Sequence, residues 1–291
     1  MKYLLVFFFL LFGTHAIDAQ TKRALIIGIG AYPPESGWSI IHGDNDVPII
    51  ADALSRKGFN QDHIVKLVNN QATKKNILEQ FKLLTHKAQI NDIVYIHFST
   101  HGQQVVDTDG DEEDGLDEAI IPYDARKTFE KGVYEGKNHL IDDELNILLS
   151  AVRKKIGKSG TLLVVIDACH SGDATRGNSN DYDTIAVRGT SDVFQIGLKA
   201  KYNPKLVKMV NWVVISATQS YQNNYEYKVN GTYYGSLSYA IHLALPELTN
   251  KDDFNGMFKA IQKSREDMNV SRYPQRPMID GDRFYLNQKV F

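Results

Sequence analysis

The strongest constraint on the fold is a rhythm in which apolar runs of strand length alternate with helical periodicity. "RALIIGIG" (23–30) is followed by a helical pattern from Asp44 to Lys57, "HIVKLV" (63–68), a second pattern from Thr73 to Lys87, and "DIVYIHFST" (92–100). Such alternation predicts βαβ units built on a parallel sheet. The runs are almost continuously apolar, as strands covered on both faces should be. Further on, a helical pattern from Asp142 to Lys155 precedes "TLLVVIDA" (161–168), and "WVVISAT" (212–218) precedes helical patterns at Gly235 to Leu245 and Asp252 to Asn269. The expectation is an α/β fold with a mostly parallel central sheet and helices on both faces.

The first residues stand outside that scheme. Lys2, the apolar "YLLVFFFLLF" and then "GTHAIDA" read as a secretory signal peptide over residues 1–19. Its apolar core is shorter than the roughly 20 residues a membrane-spanning helix needs. The expected product is an exported protein, periplasmic or secreted, with no membrane span. Residues 20–291 are expected to form one domain: a large part to about 172, a loop over about 173–210 and a small part from about 211. With 33 basic and 35 acidic residues, nothing in the composition favours nucleic acid as a partner.

The chain holds one cysteine, Cys169, so no internal disulfide can form. A lone cysteine at a strand end is commonly a core residue. Its flanks argue otherwise, since Asp167 precedes it and His170, Ser171, Gly172 and Asp173 follow. In open α/β sheets ligands bind beyond the carboxyl ends of the strands. The run "DIVYIHFST" ends at His101-Gly102, and "TLLVVIDA" ends at Cys169. If these strands are neighbours, a thiol and an imidazole meet at one sheet edge, which is what nucleophilic cysteine catalysis requires. His97 lies mid-strand and reads as a core histidine, while His170 adjoins the cysteine and should point away from it; His101 ranks first as the base.

These residues resemble a known family. "FSTHG" followed by "IDACHSGD", with "HGDNDV" after the first strand, is similar to the caspase-like cysteine peptidases, metacaspase branch. "DGDEEDGLDEAIIPYDA", "LIDDEL", "VISATQSYQNNYE" and "GSLSYAIHLAL" extend the likeness over most of the chain. The resemblance implies a caspase-like fold and a His101/Cys169 dyad, with backbone N–H groups of Gly102 and Cys169 as the oxyanion site. It implies Asp46, Ser99 and Asp167 as the pocket for P1, the residue whose carbonyl is attacked. Carboxylates there favour Arg or Lys and repel acidic side chains, so the implied partners are polypeptides with basic P1 residues. It further implies Asp117, Asp142 and Asp143 as ligands for calcium as an activator, with no cofactor needed for the chemistry. Arg176 opposes that metal, because a cation stands where the family carries an acid; Asp173 is the alternative ligand. Thr100 replaces a more usual glycine.

Other readings are weaker. Asp107, Asp109, Asp111 and Glu118 have EF-hand spacing, but Glu112 takes the place of the required glycine. "GIGAYP" (28–33) lacks the third glycine of a dinucleotide fingerprint. Arg176, Arg188, Lys199, Lys201, Lys205 and Lys208 make the loop a candidate for self-cleavage. The rival from another class is a catalytically silent caspase-like protein that binds basic peptides.

Overall fold

The computed structural model describes residues 20–107, 110, 115–169, 185–195, 211–219, 222–268 and 275–291. The leader (1–19), half of the acidic 107–118 segment (108, 109 and 111–114), and His170, Asp173, Arg176, Lys199, Lys201, Lys205 and Lys208 lie outside the described residues.

In chain order the elements are β1 (Lys22–Gly28), α1 (Gly43–Arg56), β2 (Ile64–Val68), α2 (Lys74–Lys87), β3 (Ile93–Ser99), β4 (Gly102–Val106), β5 (Leu116–Ile120), β6 (Leu140–Ile141), α3 (Asp142–Ile156), β7 (Thr161–Asp167), β8 (Val213–Ser216), β9 (Glu226–Val229), β10 (Thr232–Gly235), α4 (Ser236–Glu247), α5 (Phe254–Asp267), β11 (Met278–Asp280) and α6 (Arg283–Leu286). Six strands form the central sheet in the order β11-β8-β7-β3-β1-β2. All neighbours run parallel except β11, which pairs antiparallel with β8.

The period-2 alternation of side chains across the sheet splits the core into two layers. Val94, Ile96 and Phe98 of β3 face a layer with Ile77 and Phe81 of α2 and Leu145, Leu149 and Val152 of α3. Ile93 and Tyr95 face the other layer, with Val47, Ile50 and Leu54 of α1, Leu237 and Ile241 of α4, and Met257 and Ile261 of α5. The strands are thus buried on both sides, as their unbroken apolar character demands. Among the described residues no helix is long and apolar enough to cross a membrane.

Register brings the chemistry together. β3 pairs with β7 so that Ser99 lies opposite Asp167, and the chain two residues beyond each carries His101 and Cys169. Gly43 lets α1 close over that edge: a Cβ there would stand 2.2 Å from the Ser99 carbonyl oxygen, inside any real contact. A small sheet, β4-β5-β6, continues directly from His101 and walls one side.

Candidate active site

His101 is fully buried. Its ring stacks on Trp38, with centroids 4.8 Å apart and planes at 25°, and its backbone N–H donates to the Tyr32 hydroxyl (3.1 Å), which donates to the Ile121 carbonyl (3.0 Å). Nε2 lies 2.9 Å from the Ser39 carbonyl oxygen. A carbonyl only accepts, so Nε2 carries the proton and Nδ1 is left with a free lone pair. Nδ1 is buried and has no hydrogen-bond partner among the described residues. Burial pulls the ring pKa down to about 4, so His101 is a neutral base at physiological pH.

Cys169 is 1 % exposed, and its Sγ–H donates to the Gln222 carbonyl oxygen at 2.9 Å. Thr100, the residue unusual for this turn, is buried and donates through Oγ1 to the His101 carbonyl (2.8 Å). His97 is the core histidine expected from its mid-strand place, with the Tyr95 hydroxyl and Ser238 Oγ each 2.9 Å from a ring nitrogen.

Between these groups runs a segment of the same chain. Val187 bridges antiparallel to Tyr225, and Gly189 bridges parallel to Gly102. The Arg188 N–H donates to the Asn224 carbonyl (2.9 Å). The Arg188 carbonyl oxygen accepts from both the Gly102 N–H (3.2 Å) and the Cys169 N–H (2.9 Å). Two convergent backbone donors on one carbonyl oxygen form the geometry of an oxyanion site.

The Arg188 side chain fills the pocket behind, fully buried. Nη1 donates to Asp46 Oδ2 (2.8 Å) and to Ser99 Oγ (2.5 Å), and lies 3.8 Å from Asp167 Oδ2. On the other edge of the guanidinium, Nε and Nη2 donate to Glu226 Oε1 at 3.1 and 2.9 Å. Gly235 forms the pocket wall: a Cβ there would meet Asp167 Oδ2 at 2.1 Å and Arg188 Nη1 at 2.5 Å. Its N–H donates to Asp46.

The electrostatics follow from three buried carboxylates around one guanidinium. Burial raises Asp46 to about 6 against the pull of Arg188, which leaves it ionised at neutral pH. Burial pushes Asp167 and Glu226 upward too, but Arg188 and their hydrogen bonds hold both below the ordinary range. Asp167 accepts from Asn224 Nδ2 (2.7 Å), from the Ser238 N–H (2.8 Å) and from Ser238 Oγ (2.6 Å). The carboxylates in turn raise Arg188 despite its burial.

The fold therefore places His101, Gly102, Cys169, Asp46, Ser99 and Asp167 at one locus. Asp117, Asp142 and Asp143 belong to a separate region: β5 pairs with β6 so that Ala119 faces Ile141, which sets Asp117 beside the first turn of α3. Among the described residues no group of three or more His, Cys, Asp or Glu side chains is placed to hold a metal ion. Two pocket residues escaped the sequence reading. Glu226 lay inside a quoted motif, but no pattern links it to Asp46, 180 positions earlier. Arg188 was one basic loop residue among six, and only the threading of the chain singles it out.

Residues 22–176, more than half of the chain, match the family model described as metacaspase, peptidase C14 domain. Metacaspase-1 of Eremothecium gossypii is 36% identical over 160 residues, covering 53% of this chain and 32% of the relative. Metacaspase-1B of Aspergillus fumigatus is 37% identical over 163 residues, covering 53% of this chain and 36% of the relative. The chain thus spans about a third of the length of these curated relatives. In fold it is similar to the crystal structure of protein GSU0716 from Geobacter sulfurreducens, with a TM-score of 0.60 at 23% identity, covering 92% of this chain and 97% of that one. With its strand-end cysteine and histidine, its acidic pocket and a family match across both, the chain belongs to the metacaspase, peptidase C14, family.

Proposed function

We propose that the chain is an exported cysteine endopeptidase that cleaves after basic residues, and that its first substrate is its own Arg188–Gly189 bond. The observation that carries this reading is the pose of Arg188, with its carbonyl oxygen on the Gly102 and Cys169 N–H groups and its guanidinium among Asp46, Asp167 and Glu226.

Chemistry follows from the groups in place. His101 Nδ1 accepts the Cys169 thiol proton, and the thiolate attacks the carbonyl carbon. The developing oxyanion gains hydrogen bonds from the two N–H groups already aimed at it, so no reorganisation is needed at the transition state. The imidazolium, held by the Ser39 carbonyl, then returns the proton to the leaving amine of Gly189. Collapse breaks the C–N bond and leaves a thioester at Arg188. Water, deprotonated by His101, hydrolyses it. Glycine suits the leaving side, since a Cβ at 189 would lie 2.2 Å from the Cys169 carbonyl oxygen. Calcium enters only as an activator to be tested, and no step runs through it.

Fluorogenic peptides with P1 Arg, Lys and Asp, together with mass spectrometry of the chain, test the reading. Turnover of the basic peptides and a break after Arg188, both absent in Cys169→Ala, are expected. Saturable binding of the Arg peptide with no turnover by any form would favour the silent binding protein instead.

A further inference from the structure

We infer that Glu226 is the residue that makes this pocket prefer arginine to lysine, and that His42 holds it in position to do so. The inference rests on the proposed cleavage after basic residues and deepens it.

The argument lies in which edge of the guanidinium each acid meets. Asp46, Ser99 and Asp167 all gather at Nη1. Any terminal cation satisfies such a cluster, since an ammonium carries its charge and donors at one point. Glu226 differs, because its Oε1 lies between Nε and Nη2 and accepts from both. A lysine ends near the position of the guanidinium carbon. It has a methylene where arginine has Nε–H, and no second terminal nitrogen. With lysine bound, Glu226 loses both guanidinium donors and keeps only its bonds to His42, so a buried carboxylate is left with part of its hydrogen bonding unmet, which is costly. The discrimination therefore comes as much from the penalty against lysine as from the attraction to arginine.

Glu226 is also held by bonds that do not involve Arg188. The His42 backbone N–H donates to Oε1 (2.6 Å), and His42 Nδ1 pairs with Oε2 (2.6 Å). His42 is the N-cap of α1, so the helix terminus adds a favourable field for a carboxylate. Its ring stacks on Tyr233 at 4.9 Å and 22°, which sets the ring plane. The carboxylate is thus anchored by two donors on one side and presents Oε1 to the pocket.

The test compares kcat/KM for P1-Arg and P1-Lys peptides in the wild type, Glu226→Gln and His42→Ala, each checked for an unchanged melting profile. Losing a charged acceptor should cut the P1-Arg value by about 10–100-fold in Glu226→Gln, while P1-Lys falls far less, so the Arg/Lys ratio collapses. In His42→Ala the backbone N–H remains, and a higher KM for P1-Arg at nearly constant kcat is expected. A substrate with methylene in place of the P1 Nε–H provides a test on the unmutated enzyme: roughly a tenfold loss against arginine is expected there. An unchanged ratio in a folded Glu226→Gln enzyme, or equal turnover of the methylene analogue by the wild type, would overturn the assignment of Glu226. Absence of cysteine-dependent turnover of both basic peptides by the wild type would instead overturn the peptidase reading beneath it.

Discussion

Replacing Arg188 by Gln in a Cys169→Ala background isolates the cost of emptying the pocket, because no self-cleavage can intervene. Arg188 is fully buried against Asp46 and Glu226 at 2.8 and 2.9 Å, with Asp167 3.8 Å away. Gln removes the cation and leaves three buried carboxylates facing one another. Breaking a buried ion pair from one side costs about 3–5 kcal/mol. At the ~2–4 °C per kcal/mol typical of domains this large, the melting temperature should fall by roughly 6–20 °C. Two controls sharpen the assay. The penalty should shrink as pH is lowered from 8 to 5, since Asp46, already raised to about 6, rises further without its cation and sheds its charge by protonation. Arginine amide should restore stability, by about 2.7 kcal/mol at a hundredfold excess over its Kd. A melting temperature that neither falls with the substitution nor rises with arginine amide would refute the claim that Arg188 fills a pocket built for a cation.

Other expectations follow from the same geometry. Gly189→Val should slow the cut after Arg188 in the otherwise wild-type chain, because its Cβ meets the Cys169 carbonyl at 2.2 Å; band intensities over time report it, and an unchanged rate would count against the pose. Gly235→Ala should raise KM for P1-Arg peptides through its clash with Asp167, with steady-state kinetics as the check. Burial lowers His97 and His101 to about 4 and His139 to about 3, so the unfolded chain binds more protons. Stability should be full above pH 6.5 and decline below it, by at most about 3 kcal/mol for each of His97 and His101. Asp46, raised to about 6, partly offsets that decline between 6 and 4. Denaturant titrations at several pH values would expose a wrong sign. Turnover with calcium and with a chelator tests calcium as an activator: a collapse of turnover restored by calcium alone would assign a metal site to Asp117, Asp142 and Asp143, and an unchanged kcat/KM would remove the proposal.

The parallel sheet was legible because its strands are buried on both faces. "RALIIGIG", "HIVKLV" and "DIVYIHFST" became β1, β2 and β3 within a residue or two, and Thr73 caps α2 as its position suggests. The short pieces escaped notice. β4, β5 and β6 follow β3 with half-polar sequences such as "GQQVV" and "LDEAI", whose pairing is decided by neighbours rather than by pattern. Within the candidate site, His101, Cys169, Asp46 and Asp167 could be proposed from sequence because each lies at, or within a few residues of, the end of a regular element. Glu226 was not, for it starts a short strand in a hairpin and acquires its role only when folding sets it against His42.

The threaded segment 186–190 also has a kinetic consequence. An arginyl bond tethered beside its own thiol is present at a high effective concentration, fixed by the chain and not by the number of molecules. Scission there, as proposed, would be first order, so dilution would leave the half-time unchanged. A population of such chains would mature on an internal clock set at folding, whereas enzymes that activate one another accelerate as they accumulate.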